Sequence, residues 1–517
     1  MFNLVEFQKD IDDLRELSST APFVEYQKVR DKVIDFYRSQ LPKAKQAQIE
    51  HISDLYEVLV RTTQASSVYT PPALAKELFD RTPRMAQVKI LDCSGGTGNL
   101  AKPFLQAGLT VTLMDTDPLA LKVAALENKG VQILQEDFLN CQTKWDIIIG
   151  NPPYQGHKMM TLEQKIDLKH RFGEVMDNKA DLYYAFFAKA WQALNQEGIL
   201  SFIVSRYWLE SESATGLRRY LLSRFRILFL HDWYGDRPFG AGVDPLLIVL
   251  KKEEVAEPYK IPVIRQDQGS FEISSKDLSA QSMKLLTNYE RLIRTVILKN
   301  TDKTLGLAGE FHQGIITGFD KAFITTLAEA ACHGIERELL VPWIKSSDLH
   351  TMRPPKCLIY AGKEAGQSEG FMKYIQQHKE RLSTRREVKT GKRDFYELQW
   401  GRRRDLFESR RILFAYKAPA SRFVICEGVF HSADVYSYTS DIDKDWLCRI
   451  LNSPIYDMYI KTELKKLGRD LYEYYPHRLK DIRIPDPLLY PDPLLFLEKI
   501  EKEIHDERSR NEGYVES

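Results

Sequence analysis

The chain has 517 residues, 43% of them hydrophobic, more than a single hydrophobic core organises and enough for two or three domains. Lys and Arg number 73 against 72 Asp and Glu, a formal net charge of +1, so no global field marks a polyanion partner and any basic surface must be local. Six scattered cysteines, with no Cys-x-x-Cys pair, argue against a disulfide framework or zinc module, and neither a leader nor a membrane-length apolar run is legible, so a soluble, reduced, cytoplasmic protein without metal or membrane partner is expected.

From Leu4 to about Thr63, apolar residues such as Leu14, Tyr26, Val29, Val33, Ile52, Leu55 and Leu59 recur at helical spacing, interrupted by Pro22 and Pro42. Residues 1–64 are read as a helical arm. Tyr69-Thr70-Pro71-Pro72 is a turn feeding a helix with proline at its start. Val88 to Asp92 reads as a buried strand. Cys93-Ser94-Gly95-Gly96-Thr97-Gly98 follows as a glycine turn into a helix through Phe104 and Leu105, a place where backbone can approach a ligand closely.

The second strand, Leu109 to Met114, ends in Asp115-Thr116-Asp117. That is about twenty residues beyond the glycines, where Rossmann-like folds place a carboxylate on ribose hydroxyls. A helix from Leu119 to Asn128 leads to a third strand, Val131 to Leu134, which ends in Glu136-Asp137-Phe138. The fourth strand, Asp146 to Gly150, ends in Asn151-Pro152-Pro153-Tyr154. Every strand thus carries polar residues at its C-terminal end, the edge at which open α/β sheets bind ligands.

Two consecutive prolines fix φ and remove two N–H donors, so the chain at Asn151-Pro152-Pro153-Tyr154 is held in an open turn. The carbonyls of Asn151 and Pro152 stay available to accept. An amide, a free carbonyl and the Tyr154 ring side by side suit a planar ligand bearing an amino group; the alternative is a proline loop that merely ends a strand.

Further on, a helix from Asp181 to Leu194 and strands near Ile199–Val204, Ile227–His231 and Pro245–Leu250 extend the sheet to about Lys252. In the loop between the last two, Trp233 to Gly242, the glycines allow Phe239 either to reach the same sheet edge or to join the core. After the charged stretch Lys251 to Pro258 the alternation breaks down, so a catalytic domain is placed at 65–254 and a second domain at 255–517. Between Lys379 and Arg411 basic residues predominate, among them Arg385, Arg386, Lys392, Arg393 and the run Arg402-Arg403-Arg404, interleaved with Phe395, Tyr396, Trp400 and Phe407. Such a mixture can contact phosphates and stack on bases, or can be a solvated helix face with ordinary ion pairs.

Tyr-Thr-Pro-Pro, Leu-Asp-x-x-x-Gly-x-Gly, the acid pair ending the second strand, Glu-Asp-Phe-Leu and Asn-Pro-Pro-Tyr, in that order from Val68 to Lys252, resemble the γ-class N6-adenine DNA methyltransferases of the Taq type. Cys93-Ser94-Gly95 departs from that family's usual proline and small residues, while Asp92, Gly96 and Gly98 persist. The resemblance implies an α/β, Rossmann-like S-adenosylmethionine-dependent sheet followed by a mixed α+β target-recognition domain, whose opening Ile315 to Ile324 resembles. It also implies S-adenosylmethionine as cofactor: Asp92 faces its methionine end with Gly95, Gly96 and Gly98, Asp115 takes the ribose, Asp137 the adenine amino group, Phe138 packs on that ring, and Tyr69 with Thr70 closes the pocket. Asn151 and Pro152 would accept the hydrogens of a flipped-out adenine amine, with Pro153 fixing the turn and Tyr154 and Phe239 stacking on the base.

The implied partner is double-stranded DNA, bound by a monomer in the bacterial cytoplasm at the nucleoid, with a separate restriction endonuclease possible. Asn-Pro-Pro-Tyr also occurs in enzymes that methylate protein glutamine, which lack a large domain after the sheet. Methylation of RNA or protein, and a non-catalytic DNA-binding subunit, are therefore the competing readings.

Overall fold

The computed structural model describes residues 70–83, 87–177, 179–236, 244–254, 257–354, 356–468 and 470–513, with Lys9 and Pro238 as isolated positions. The expected helical arm, Tyr69 and Phe239 lie outside the described residues. The chain divides into two compact units at Thr287 and Asn288.

The first unit is built on a nine-stranded sheet. Its strands are β1 (Ile90–Asp92), β2 (Val111–Asp115), β3 (Gln132–Gln135), β4 (Trp145–Gly150), β5 (Leu194–Ser205), β6 (Arg226–Asp232), β7 (Pro245–Lys251), β8 (Lys260–Arg265) and β9 (Gly269–Ser274). They lie side by side in the order β3-β2-β1-β4-β5-β7-β6-β8-β9. β3, β2, β1, β4 and β5 run parallel, and β7 is inserted antiparallel between β5 and β6. The strand order reverses direction between β1 and β4. In sheets of this kind the crevice for a ligand opens there, outside the carboxyl ends of the strands.

The continuous apolar run of β4 follows from burial on both faces. Ile147 and Ile149 pack with Leu74 and Leu78 of α1 (Pro72–Arg81) and with Phe104 of α2 (Lys102–Gln106). Ile148 points the other way, into a core shared with Phe187, Leu200 and Phe202. The next helices are α3 (Pro118–Glu127), α4 (Leu162–Phe172) and α5 (Leu182–Ala193). α5 is buried on most of its circumference because it fills that second face; Phe187 meets Phe202 and Trp208 with ring centroids 5.2 and 6.2 Å apart.

The expected boundary near residue 254 is too early. β8 pairs in parallel with β6, Leu230 opposite Val263, and β9 closes the edge as a hairpin with β8. Ile261, Val263 and Ile273 are buried in the same core as the preceding strands. At the start of the charged stretch that reads as a linker, Lys251 bridges Glu197 and Glu253, and Arg226 approaches Glu253.

The second unit is mixed α+β. One core gathers the helices Asn288–Asn300, Lys444–Leu451, Pro454–Glu463 and Pro493–Gly513 against the sheet containing Arg411–Ala415 and Val435–Ser440. Another surrounds the four-stranded sheet of Leu340–Ile344 and its neighbours. Ile315 and Ile316, in the segment that resembles a target-recognition opening, bridge to Ser432 and Trp400. No helix among the described residues is long and apolar enough to cross a membrane.

Ile148→Ala removes a wholly buried side chain from the middle of the sheet. It should destabilise the first unit by about 2–5 kcal/mol, read as a lower urea midpoint of tryptophan fluorescence at unchanged slope.

Candidate active site

β4 delivers Asn151 to the sheet edge, and a glycine lets it arrive there. A Cβ on Gly150 would lie 2.7 Å from Cys93 Sγ and 3.2 Å from Ser94 Oγ, so only glycine allows the ends of β1 and β4 to close on each other. Nothing in the sequence singles Gly150 out, since it reads as the end of an isoleucine run.

The Asn151 amide is held at both ends. Its Nδ2 donates to Thr70 Oγ1 at 3.1 Å, and its Oδ1 accepts from the Tyr154 hydroxyl at 2.7 Å. Both partners are hydroxyls, which can donate or accept, and together they hold the plane of the amide in place. The Tyr154 hydroxyl also lies 3.3 Å from the Ile203 carbonyl, its ring packs edge-on against Tyr183, and burial pushes its pKa well up. The sequence reading gives Tyr154 a stacking role; the structure gives it in addition the task of orienting Asn151. Pro152 is buried and Pro153 half-buried, and no hydrogen bond reaches the Pro152 carbonyl among the described residues.

Two residues anchor this turn from outside. Thr70 is 5% exposed, and its carbonyl accepts from Asn99 Nδ2 at 3.4 Å, which links Asn151 to the glycine turn. Asp181, at the head of α5, accepts from the Gln155 N–H at 3.1 Å, while Leu182 N–H donates to the Gln155 carbonyl. Burial raises the Asp181 carboxyl to about 6. Sequence reasoning missed Asp181 as a site residue, although an aspartate at the start of an apolar helix was a signal.

The glycine turn brings a second set of groups to the same edge. Gly96 and Gly98 have φ of 50° and 87°, and a Cβ on Gly98 would meet Asn128 Nδ2 at 2.9 Å. On Gly95 a Cβ would meet Leu113 Cβ at 2.9 Å, so this glycine serves packing against β2. Asp92 is wholly buried; one oxygen accepts from Ser94 N–H at 3.3 Å and the other has no partner among the described residues. Burial, helped by the nearby charge of Asp115, raises its pKa to about 7. An unsatisfied buried carboxylate oxygen beside a close-approach turn is what an ammonium-bearing ligand would satisfy.

Asp115 accepts from Gly96 N–H and Asp117 N–H, both at 2.9 Å, and burial raises its pKa. Each oxygen retains capacity for another donor. Asp137 is half-buried and caps the turn Phe138–Asn140, accepting from Leu139 N–H at 2.9 Å. Phe138 packs inward as well as standing at the strand end. It is 2% exposed and packs on Phe186 with centroids 5.5 Å apart, because the turn directs its ring into the core beneath the edge. Among the described residues no group of three or more His, Cys, Asp or Glu is placed to hold a metal ion.

The basic residues expected to meet DNA belong to the second unit and fare unequally. Arg385 is a clasp: its guanidinium donates to the carbonyls of Thr317, Leu382, Phe395 and Glu397. That leaves little of it for a phosphate. Arg393 pairs with the buried Glu397 at 3.2 Å, Arg402 donates to Gln313 Oε1 at 2.8 Å, Arg403 pairs with Asp405, and Arg404 with Glu408 at 2.8 Å. Arg386 and Lys392 are exposed, and their side chains make no hydrogen bond or ion pair among the described residues. Composition alone could not separate these roles, because the carbonyls and carboxylates that occupy the other arginines come together only in the fold.

Residues 106–239 match the family model described as Eco57I restriction-modification methylase. The chain is 24% identical over 410 residues to the Type II methyltransferase M.BstVI of Geobacillus stearothermophilus, covering 69% of this chain and 71% of that protein. It is 22% identical over 424 residues to the Type II methyltransferase M.PaeR7I of Pseudomonas aeruginosa, covering 74% and 72%. Its fold is similar to that of the Type IIL restriction-modification enzyme MmeI, with a TM-score of 0.54 and 15% identity over 92% of this chain and 67% of that one. It spans 63% of the solved chain of the type IIG restriction endonuclease BpuSI. Residues 106–239 thus carry an Eco57I-type restriction-modification methylase domain within the α/β sheet.

Proposed function

We propose that this protein is a site-specific DNA methyltransferase of a restriction-modification system that transfers a methyl group from S-adenosylmethionine to the N6 amino group of an adenine turned out of the duplex. The observation that carries the reading is the Asn151 amide oxygen, oriented by Thr70 and Tyr154 beside the Pro152 carbonyl and at the same sheet edge as the unsatisfied Asp92.

An exocyclic amine of adenine is a poor nucleophile because its lone pair is delocalised into the ring. Asn151 Oδ1 accepts the Tyr154 hydroxyl, and an sp² oxygen carries two lone pairs. With the Pro152 carbonyl as the other acceptor, the two amine hydrogens are held in directions that favour a pyramidal nitrogen. Both acceptors are positioned before substrate arrives, so little reorganisation remains for the reaction. An adenine stacked and paired in a duplex cannot reach this edge, and turning it out costs a few kcal/mol; an aromatic surface such as Tyr154, and Phe239 by the resemblance, would recover part of that cost.

S-adenosylmethionine supplies an electrophilic methyl group when bound. Asp92 is suited to its ammonium group, Asp115 to ribose hydroxyls, and Asp137 to an amino group of the adenine ring. The exposed Arg386 and Lys392 are suited to DNA phosphates. No observation favours protein or RNA as the acceptor over DNA.

Asn151→Ala should lower tritiated methyl transfer to duplex DNA by about 10²–10³-fold, the scale for loss of one preorganised polar group. Cofactor binding measured by calorimetry should be unchanged; transfer to DNA at the wild-type rate would refute the assignment.

Asp92 makes binding depend on pH. Its carboxyl is protonated below about 7 and charged above, so cofactor affinity should rise as pH passes through that value and then level off, and Asp92→Asn should bind weakly at every pH. In the unliganded chain the sign is opposite. The folded state keeps a proton that the unfolded carboxyl releases near pH 4, so Asp92 contributes stability that falls as pH rises from about 4 to about 7. Urea titrations across that range, on wild type and Asp92→Asn, measure the difference.

A further inference from the structure

α5 is an apolar helix with one charged residue, Lys189. Lys189 is 6% exposed, and its amine makes no hydrogen bond or ion pair among the described residues. A lysine whose stem is buried and whose amine has no partner in the protein is stabilised in its charged form by a counter-charge that can reach it. Here one can, because the side chain lines a cavity of about 610 Å³.

The chemistry of that cavity has one sign. Asn140, Gln142, His170, Arg171 and Gln192 line it with Lys189, and among the described residues no carboxylate does. Every one of these side chains can donate a hydrogen bond. Arg171 is partly committed, to the Leu139 carbonyl, to Asn140 Oδ1 and to Asp167 at 3.0 Å. Lys144 donates to the Gln192 carbonyl. Burial holds the Lys189 amine below the usual lysine range; Arg171 and Lys144 add to this, while Cys141 and Glu136 oppose it. The cavity shares no lining residue with the Asn151 turn, with Asp92 or with the glycine turn.

We propose that this cavity binds a phosphate group carried on a small molecule, with the Lys189 ammonium as its principal contact and Arg171 as the second cation. Two cations and several neutral donors suit a dianion with three or more acceptor oxygens better than a lone carboxylate. The volume lies in the range of small-molecule sites. The recessed position of Lys189 suits a small molecule rather than the backbone of a duplex.

The test is titration calorimetry on the full chain with inorganic phosphate and with ribose 5-phosphate, neither of which contains adenine. Lys189→Met keeps the length of the side chain and removes the charge; it should fold and melt no lower than wild type, and Lys189→Gln is the second variant if it does not. Saturable binding of at least one probe to wild type is expected, retained by Lys189→Arg and weakened about tenfold or more in Lys189→Met. Absence of saturable binding to wild type, or equal affinity in wild type and Lys189→Met, would overturn the proposal. A short duplex is the third arm: if Lys189→Met weakens duplex binding while neither small probe binds wild type, the small-molecule assignment is wrong.

Discussion

The orientation of one amide is the constraint on which the site depends. Asn151 can present an acceptor to an amine only if its oxygen, and not its nitrogen, faces the open edge. Thr70 holds the nitrogen and Tyr154 the oxygen, and both are themselves anchored, Thr70 by burial and by Asn99, Tyr154 by its packing on Tyr183. Gly150 brings the strand end close enough to the glycine turn for the two halves of the edge to form one site. The rest of the sheet supplies rigidity, since β4 is central and its isoleucines are clamped between two apolar layers.

The same edge concentrates carboxyls whose pKa values burial has raised. Asp92, Asp115 and Asp181 all titrate above the ordinary aspartate range, with burial as the largest cause in each. Their partners differ. Asp115 and Asp181 accept backbone N–H groups and so stabilise turns, whereas Asp92 keeps one oxygen without a partner among the described residues. Buried polar groups without partners are uncommon in folded chains, and one at the strand end beside the glycine turn is best understood as part of a binding site.

Much of this was legible from residues. The seven strands up to Lys251 announce themselves as apolar runs bounded by Gly, Pro, Asp and Asn, and their polar C-terminal ends mark the ligand edge. What could not be read was whatever depends on distance in space. The bond between Thr70 and Asn151 joins residues 81 apart in sequence. β8 and β9 were assigned to the wrong domain because a charged surface connection resembles a linker when its ion-pair partners are unknown. The packing of Phe138 on Phe186, which ties the strand end to the core, joins residues far apart in the chain. Arg385 looked like its basic neighbours until its four carbonyl partners came together.

The central claim is that the Asn151 edge holds the amino group of an adenine while a methyl group is delivered to it. Incubating the purified chain with isotopically labelled S-adenosylmethionine and unmethylated duplex DNA, then digesting the DNA to nucleosides for mass spectrometry, tests this directly. The account predicts label in N6-methyladenine. Label confined to a methylated cytosine, or found on added protein or RNA but not on DNA, would contradict it.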